Sequence, residues 1–263
     1  MSLIDDYSAY LIDLDGVMYR GETPVPRAGE VIAQMQNRGL DLLFLTNNSA
    51  ATPEMYVRKL AGMGVAVEAR NVMNSAQALY RYIEENFETG GKTCFLIGGA
   101  GLEQEIENSG MKLLVGEAAK HVDFVIVGWD RSFDYEKLKT ASLAIRNGAV
   151  YLAANKDATY PMPVEIWPGA GAIVAAVTTA AGREPVKSIG KPDPYMVRLG
   201  LERLGALEKD ALMIGDRLET DILAGNAAGV DTLLVLSGIS SREDVEKSGI
   251  TPTYVLDSLA SML

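Results

Sequence analysis

Short apolar runs alternate with amphipathic segments along most of the chain. Apolar residues recur at helical spacing from Ala28 to Met35, and this predicted helix ends at a cation followed by a glycine, Arg38-Gly39. Several of the apolar runs lack alternation, as expected for strands covered on both faces. The predicted strands are AYLIDLD, DLLFLTN, TCFLIG, DFVIVG, VYLAAN, ALMIGD and DTLLVL. This order of elements predicts an α/β fold with a Rossmann-like, doubly wound, mostly parallel sheet.

The chain has 263 residues, which is long for a single core, and glycine-rich joints divide it. The pair Gly90-Gly91 follows a helical segment, and the stretch AGREP begins at Ala181. Strand and helix units lie on both sides of the segment between these joints. We therefore expect a main α/β core formed by residues 1–89 and 185–263, with a smaller α/β domain inserted at residues 90–184.

Two carboxylates interrupt the first apolar run. In LIDLDGVMYRG, Asp13 and Asp15 lie where a buried strand normally has apolar residues. A buried carboxylate without a partner costs several kcal/mol or takes up a proton. The rest of the chain must therefore supply a group that stabilises these charges.

Other polar residues follow predicted strands at the same edge of the sheet, where open parallel α/β sheets bind ligands. DLLFLT ends in Thr46, followed by Asn47 and Asn48, while KSIGKP contains Lys191 and ALMIGD ends in Asp216. Hard oxygen ligands without histidine or thiolate suit magnesium, which also keeps water and phosphate oxygens. A divalent ion together with the lysine would form a positive pocket, and the threonine hydroxyl and nearby amides would donate to phosphate oxygens.

Composition and charge narrow the function classes. A formal charge of −11 and a pI near 4.7 argue against nucleic-acid or anionic-membrane partners. The longest small and apolar run, AIVAAVTTAA, is far shorter than the roughly 18–20 residues of a membrane span. No secretory signal is visible, so we expect a cytoplasmic protein. The single cysteine, Cys94, excludes an internal disulfide, and with the single histidine, His121, it is too little for a Cys/His zinc site. We expect Cys94 to be a packed thiol and His121 to lie in a solvated loop.

Four motifs resemble, in order and context, those of haloacid dehalogenase-superfamily phosphatases. They are DLDG at Asp13, LTNN at Leu45, GKPDP at Gly190 and GDRLETD at Gly215. The long spacer after the second motif, together with WDR, ANKD and PGAG, resembles the NagD and p-nitrophenylphosphatase branch over nearly the whole chain. The resemblance implies a phosphatase acting on small organic phosphate monoesters, with the inserted domain as a cap.

The resemblance also implies a role for each motif residue. Asp13 would attack phosphorus to form an aspartyl-phosphate, and Asp15 would act as general acid and base. Lys191 would hold Asp13 and the phosphoryl oxygens together. The implied phosphate-binding residues are Thr46, Asn47, Asn48 and Lys191. The implied cofactor is magnesium, with ligands from Asp13, the Asp15 carbonyl, Asp216 and Asp221, the last of these directly or through water.

In the resembled family, the cap loop after VYLAA faces the active site. Asn155, Asp157 and Tyr160 are therefore expected to select the substrate. Two other functions stay open: a phospho-aspartate signalling or binding module without turnover, and a phosphomutase. Asp15 separates the first of these from a phosphatase, since a receiver-like module needs no carboxylate two residues after its phospho-acceptor. The expected partner is a small phosphate ester, without nucleic acid or membrane, and the chain is expected to be a monomer or homodimer.

Overall fold

A computed structural model describes residues 3–161 and 165–263 and contains two parallel β-sheets and two short antiparallel hairpins. The strands are β1 (Ala9–Asp13), β2 (Tyr19–Arg20), β3 (Thr23–Pro24), β4 (Asp41–Thr46), β5 (Val72–Asn74), β6 (Thr93–Ile97), β7 (Lys112–Leu113), β8 (Phe124–Val127), β9 (Val150–Ala153), β10 (Thr159–Pro161), β11 (Ile166–Pro168), β12 (Lys187–Ser188), β13 (Ala211–Gly215), β14 (Asp231–Val235) and β15 (Tyr254–Leu256).

The α-helices are α1 (Ala28–Asn37), α2 (Pro53–Gly62), α3 (Ser75–Asn86), α4 (Ala100–Ser109), α5 (Tyr135–Arg146), α6 (Ala170–Ala181), α7 (Tyr195–Leu204), α8 (Leu223–Ala228) and α9 (Arg242–Ser248). Short 3-10 turns lie at Leu3–Asp5, Ala69–Asn71, Gly116–His121, Glu208–Asp210 and Leu259–Met262, and a π turn lies at Leu218–Ile222. Among the described residues, no helix has the length and apolar character needed to cross a bilayer.

The first sheet has six strands in the order β15-β14-β13-β1-β4-β5, with every neighbouring pair parallel. Its two faces pack against different helices. Val31 and Ile32 of α1 belong to the apolar cluster on one face, while Val197 of α7 and Ala224 of α8 belong to the cluster on the other. Because apolar clusters cover both faces, the strands contain few polar residues, as the sequence predicted.

The second sheet has five parallel strands in the order β12-β9-β8-β6-β7. In the sequence, all of them lie between β5 and β13 of the first sheet, so this α/β unit is an insertion in the first. The predicted fold class, a doubly wound core with an inserted smaller α/β cap, is confirmed. The short strand β12 joins the second sheet. The exact domain limits stay predictions.

The second sheet contacts the first through the loop between β4 and α2. Gly101, near the start of α4, packs so closely that a Cβ there would lie 2.5 Å from the Ser49 carbonyl oxygen and 2.6 Å from that of Ala51. At the end of β8, a Cβ on Gly128 would lie 2.6 Å from Ser49 Oγ. Small residues therefore allow the inserted unit to pack against the loop that continues from Thr46.

The predicted elements are found. The helix α1 ends at Asn37, and Gly39 has a left-handed φ of 71°, which explains the helix stop. The π turn Leu218–Ile222 leads directly into α8, so the helical segment after β13 begins at Leu218. Cys94 is fully buried, and burial raises the pKa of its thiol to about 12, as expected of a packed cysteine. His121 is exposed, although it ends a 3-10 turn rather than lying in a loop.

Candidate active site

Side chains from three neighbouring strands meet at the carboxyl edge of the first sheet. Strand β1 lies between β13 and β4, and Asp13 is its last residue. Thr46 ends β4, and Asp216 directly follows β13. Parallel strands end at the same edge of a sheet, so residues far apart in the sequence become neighbours here. All three side chains are buried.

Lys191 supplies a positive charge to this edge. Its Nζ donates to Asp13 Oδ1 and to Asp221 Oδ1, both at 2.6 Å, and to the Leu45 carbonyl oxygen at 3.3 Å. The lysine side chain is only 2% exposed. Burial by itself lowers the pKa of Lys191, but the charges of the two aspartates raise it above its ordinary value. The amine therefore stays protonated and is held between two carboxylates.

Three carboxylates form a group that fits a metal ion. Oxygens of Asp13, Asp216 and Asp221 lie within 4.8 Å of one another. Burial, followed by the charge of Asp221, raises the pKa of Asp216 to about 7, and burial also raises the pKa of Asp13. One lysine offsets only part of this negative charge. Oxygen donors at this separation fit the ligand preference of magnesium, which would balance the remainder.

Asp221 also orders the loop that carries Asp216. Its Oδ2 accepts hydrogen bonds from the backbone N–H groups of Asp216 and Arg217, at 3.2 and 3.1 Å. Both of its oxygens thus have partners within the protein, since Oδ1 accepts from Lys191. The other side of the loop is held by the Ile239 N–H, which donates to Asp216 Oδ2 at 2.8 Å. The carboxylate of Asp216 is therefore fixed before any ligand binds.

Asp15 lines the same cleft as Asp13, beyond the end of β1. Burial raises the pKa of Asp15 to about 6, although the charges of Lys59 and Arg217 act in the opposite direction. Gly16 follows with a φ of 84°, and a Cβ at this position would lie 2.2 Å from Asp216 Oδ2. The glycine of DLDG is therefore required both by its backbone conformation and by its contact with the acid.

Asn47 connects the first sheet to the lysine. Its Nδ2 donates to the Lys191 carbonyl oxygen at 2.9 Å, and its Oδ1 accepts from the Lys191 N–H at 2.8 Å. The same Nδ2 donates to Asp157 Oδ1 at 2.9 Å. The amide of Asn47 thus fixes the backbone on both sides of the lysine side chain. Thr46 and Asn48 lie next to it, and both line the cleft.

The three predicted specificity residues differ in their surroundings. Asp157 and Tyr160 line the cleft, and the tyrosine hydroxyl accepts from Asn48 Nδ2 at 3.2 Å. The tyrosine ring stacks on Trp129, with ring centres 4.2 Å apart. Asn155 is 2% exposed, and its Nδ2 donates to the Asn47 carbonyl oxygen at 2.6 Å. The structure therefore brings all three close to the loop after β4, with Asn155 bonded to the backbone of that loop.

Known families match this chain at both ends. The haloacid dehalogenase-like hydrolase profile matches residues 10–112, and a HAD-hydrolase-like profile matches residues 188–262. The acid sugar phosphatase of Staphylococcus saprophyticus is 38% identical over 258 residues, which cover 98% of this chain and 97% of that protein. The chain belongs to the haloacid dehalogenase-like hydrolases. The family predicted from the four motifs is confirmed.

Similar solved structures indicate the branch of the family to which this hydrolase belongs. NagD from E. coli K-12 superposes with a TM-score of 0.87 at 32% identity, over 97% of each chain. The glycerol phosphate phosphatase of Mycobacterium tuberculosis, in complex with magnesium, has a TM-score of 0.90 at 32% identity and covers 100% of this chain and 78% of that one. This haloacid dehalogenase-like hydrolase is therefore a phosphatase of the NagD type, a phosphoric monoester hydrolase, as the sequence predicted.

Sequence reasoning assigned no role to several residues at the site of this hydrolase. Arg217 and Thr220 line the cleft, and both belong to GDRLETD. Arg217 could have been noticed in the sequence, because it is a cation within an acidic motif. Lys59 lies on α2, with Nζ 3.8 Å from the ring centre of Tyr19. No motif marks that lysine, because only the packing of α2 against the first sheet brings it near Asp15.

Proposed function

We propose that this hydrolase removes the phosphoryl group from small organic phosphate monoesters, with magnesium as cofactor and an aspartyl-phosphate on Asp13 as intermediate. The meeting of Asp13, Lys191 and Asp216 at one sheet edge carries the proposal, because it combines a nucleophile, a cation and a metal ligand. The names of two relatives support it: one is an acid sugar phosphatase, and the other is a glycerol phosphate phosphatase in complex with magnesium.

In the first step, the Asp13 carboxylate attacks phosphorus. The bond from its oxygen to phosphorus forms while the bond from phosphorus to the leaving oxygen breaks. Asp15 donates a proton to that oxygen; because burial raises the pKa of Asp15 to about 6, a fraction of it is protonated near neutral pH. Lys191 holds the nucleophile at 2.6 Å and stabilises the charge on the phosphoryl oxygens.

In the second step, water releases the phosphate. Asp15, now a carboxylate, takes a proton from water as the water oxygen bonds to phosphorus. The bond between phosphorus and Asp13 breaks, which restores the nucleophile and returns the proton to Asp15. A bound magnesium ion would neutralise charge on the phosphoryl oxygens. We assign it to the Asp13 carboxylate, the Asp15 carbonyl and Asp216, with Asp221 directly or through water.

The remaining predicted residues position these groups in our proposal. Thr46 contacts the phosphoryl oxygens together with Lys191. Asn47 acts through that lysine, whose backbone it holds, and Asn48 holds Tyr160 at the cleft. The cap residues Asn155, Asp157 and Tyr160 are assigned to substrate selection, within a cap at about residues 90–184. The cytoplasmic location and the monomeric or homodimeric state stay predictions.

A panel of phosphate esters tests the proposed function. Turnover of some esters with magnesium, its loss with EDTA and its recovery when magnesium is restored are expected. Asp13→Asn is expected to abolish turnover of every ester, because an amide is a poor nucleophile and a weaker metal ligand. No metal-dependent turnover of any ester would reject the proposal. A stable phosphoprotein without turnover would instead favour the phospho-aspartate module.

A leaving-group comparison tests the role of Asp15. Asp15→Asn is expected to slow alkyl phosphates far more than p-nitrophenyl phosphate, since nitrophenolate leaves without a proton. The measurement is kcat on both esters for the wild type and the variant. Equal losses on the two esters would reject Asp15 as the general acid.

A further inference from the structure

A second cavity adjoins the cleft that contains the catalytic aspartates. The cleft itself measures about 50 Å³. The adjoining cavity measures about 630 Å³. Asp15, Asp216 and Arg217 line both spaces, so the two are adjacent. This cavity therefore offers far more room for the organic part of a substrate than the cleft does, as does a cavity of about 670 Å³ on the Lys191 side of the cleft.

The position of Asp15 connects the cavity to the leaving group. Attack by Asp13 expels the leaving oxygen on the far side of phosphorus, towards the group that protonates it. That group is Asp15 in the proposed mechanism, and Asp15 lies on the boundary between the cleft and the larger cavity. A leaving group that departs past Asp15 therefore enters this cavity.

Arg217 at this boundary has a fixed backbone, and the charge of its side chain acts on Asp15 and Asp216. Its N–H donates to Asp221 Oδ2 at 3.1 Å, and its carbonyl oxygen accepts from the Asp221 N–H at 3.1 Å. The guanidinium is partly buried, and within the part of the chain that the structure describes, neither a hydrogen bond nor an ion pair engages it. Lys191, the other cation that lines the cleft, already donates to Asp13, Asp221 and the Leu45 carbonyl oxygen.

The far wall of the cavity adds a second cation. Arg20 lines it, and its Nε donates to the Ser237 carbonyl oxygen. Ser237 Oγ in turn donates to the Gly16 carbonyl oxygen at 2.7 Å, which ties this wall to the DLDG turn. Between the two arginines, Val25 and Ile239 provide apolar surface. The cavity is thus partly apolar, and its two arginines lie in a lining that also contains Asp15 and Asp216.

We propose that the larger cavity receives the leaving group, and that Arg217 selects phosphate monoesters whose leaving group carries a second anionic group. A carboxylate or a second phosphate satisfies the same guanidinium, since both accept two parallel hydrogen bonds from it. Within the described residues, no direct bond of this guanidinium has to break when it binds an anion, so the gain in binding has to exceed only the cost of ordering and desolvating the side chain. The proposal rests on the proposed function for its assignment of the leaving-group side.

Three matched esters test the selectivity: propyl phosphate, the same ester with a terminal carboxylate, and the same ester with a terminal phosphate. For the wild type, kcat/KM on the better of the two anionic esters is expected to exceed that on propyl phosphate about 10- to 100-fold, mostly through KM. In Arg217→Gln this ratio is expected to fall to within about 3-fold of unity, and Arg217→Lys should keep part of it. The carboxylate and phosphate arms show which anion is preferred.

Arg198 provides a matched control. It lies exposed on α7, outside the cavity, and its guanidinium donates to the Ala227 carbonyl oxygen. Arg198→Gln removes the same charge and is expected to leave the ratio unchanged. A wild type without preference for either anionic ester, or an Arg217→Gln variant that keeps the wild-type ratio, would overturn the proposal.

Binding measurements distinguish a failure of this proposal from a failure of the proposed function. The same three esters are titrated calorimetrically into Asp13→Asn with magnesium, alone and combined with Arg217→Gln. If the wild type turns over no ester, the proposed function fails, yet tighter binding of an anionic ester that disappears with Arg217→Gln still supports the subsite. Equal binding of the three esters to Asp13→Asn would overturn the subsite whatever the turnover shows.

Discussion

Two parallel sheets in this chain end in very different residues. In the first sheet, β1 ends in Asp13 and β13 is followed by Asp216. In the second sheet, β6 and β8 are followed by Gly98 and Gly128. Carboxyl ends of parallel strands are the usual place for ligands, and among the described strands only those of the first sheet end in an acid or are directly followed by one. The architecture alone therefore does not determine where the chemistry lies.

The second sheet uses its carboxyl edge for contact with the core. Its glycines allow close approach to the loop after β4: a Cβ on Gly99 would lie 2.9 Å from the Ala50 carbonyl oxygen, and one on Gly128 would lie 2.6 Å from Ser49 Oγ. That loop continues from Thr46. The comparison teaches that the first edge carries the acids of the site, while the second holds in place the loop beside them and supplies Lys191 and Asp157 from the loops after β12 and β9.

The largest effect is expected from removing the lysine that pairs with the acids at the edge of the first sheet. Lys191→Met leaves Asp13 and Asp221 buried without a cation, which is expected to cost about 3–5 kcal/mol of unfolding free energy near neutral pH. Lys187→Met is the control: Lys187 pairs with Asp193, and both side chains are partly exposed, so a loss of about 0–1 kcal/mol is expected. Urea unfolding of both variants measures this difference, and equal losses would contradict it.

A smaller effect is expected from the contact edge of the second sheet. Gly101→Ala places a Cβ 2.5 Å from the Ser49 carbonyl oxygen, so the loop must shift, at an expected cost of about 1–3 kcal/mol and with lower activity. Gly62→Ala is the control, because no atom lies within 4 Å of the added Cβ and the site is helical; it should stabilise by up to about 1 kcal/mol. Thermal unfolding and turnover are measured for both variants. Unchanged turnover in Gly101→Ala would show that this contact does not influence the active site.

The stabilisation of the protein by magnesium is expected to depend on pH. Burial raises the pKa of Asp216 to about 7, so in the window from its ordinary value of 3.8 up to 7 the folded metal-free protein holds a proton that the unfolded chain releases. Metal-free stability should therefore fall as pH rises through this window, as proton linkage requires. Magnesium binds the deprotonated form, so its stabilisation should be larger at higher pH and reach about 1.4 kcal/mol at ten times Kd.

Melting curves with magnesium and with EDTA across this pH range measure that linkage. Hydrogen exchange then locates it: added protection is expected in β1 and β13, which end at the acids, and not in β6 or β8. Equal protection of the two sheets would show that the ion stabilises the whole molecule, or binds elsewhere, and would contradict the assignment.

The smallest effect is expected where the cap touches the cleft. Tyr160→Phe removes the hydroxyl that accepts from Asn48 Nδ2 and keeps the ring on Trp129, so we expect a loss of about 1 kcal/mol or less, with KM changed more than kcat. Trp129→Leu removes the stacked ring instead and is the paired variant. Steady-state kinetics on one ester measures both. A large fall in kcat for Tyr160→Phe would place this residue nearer the chemistry than we propose.

Long apolar runs were predictable, whereas short strands were not. The seven predicted strands all form, as β1, β4, β6, β8, β9, β13 and β14, since a run of such residues is stable mainly inside a sheet. Strands of two or three residues, such as β5, β12 and β15, contain too few positions to show a period. They exist because a neighbouring strand offers hydrogen bonds to whatever segment passes beside it.

By itself, the sequence determined the order of strands and helices, the acids after β1 and β13, and through its four motifs the family. It could do so because these features depend on residue type and local spacing. Tertiary structure decided that Lys191 lies between Asp13 and Asp221, which are 178 and 30 residues away from it, and that no described residue forms a hydrogen bond or ion pair with the Arg217 guanidinium. Such contacts depend on how the two sheets and their loops pack together, and no local pattern of residues encodes that placement.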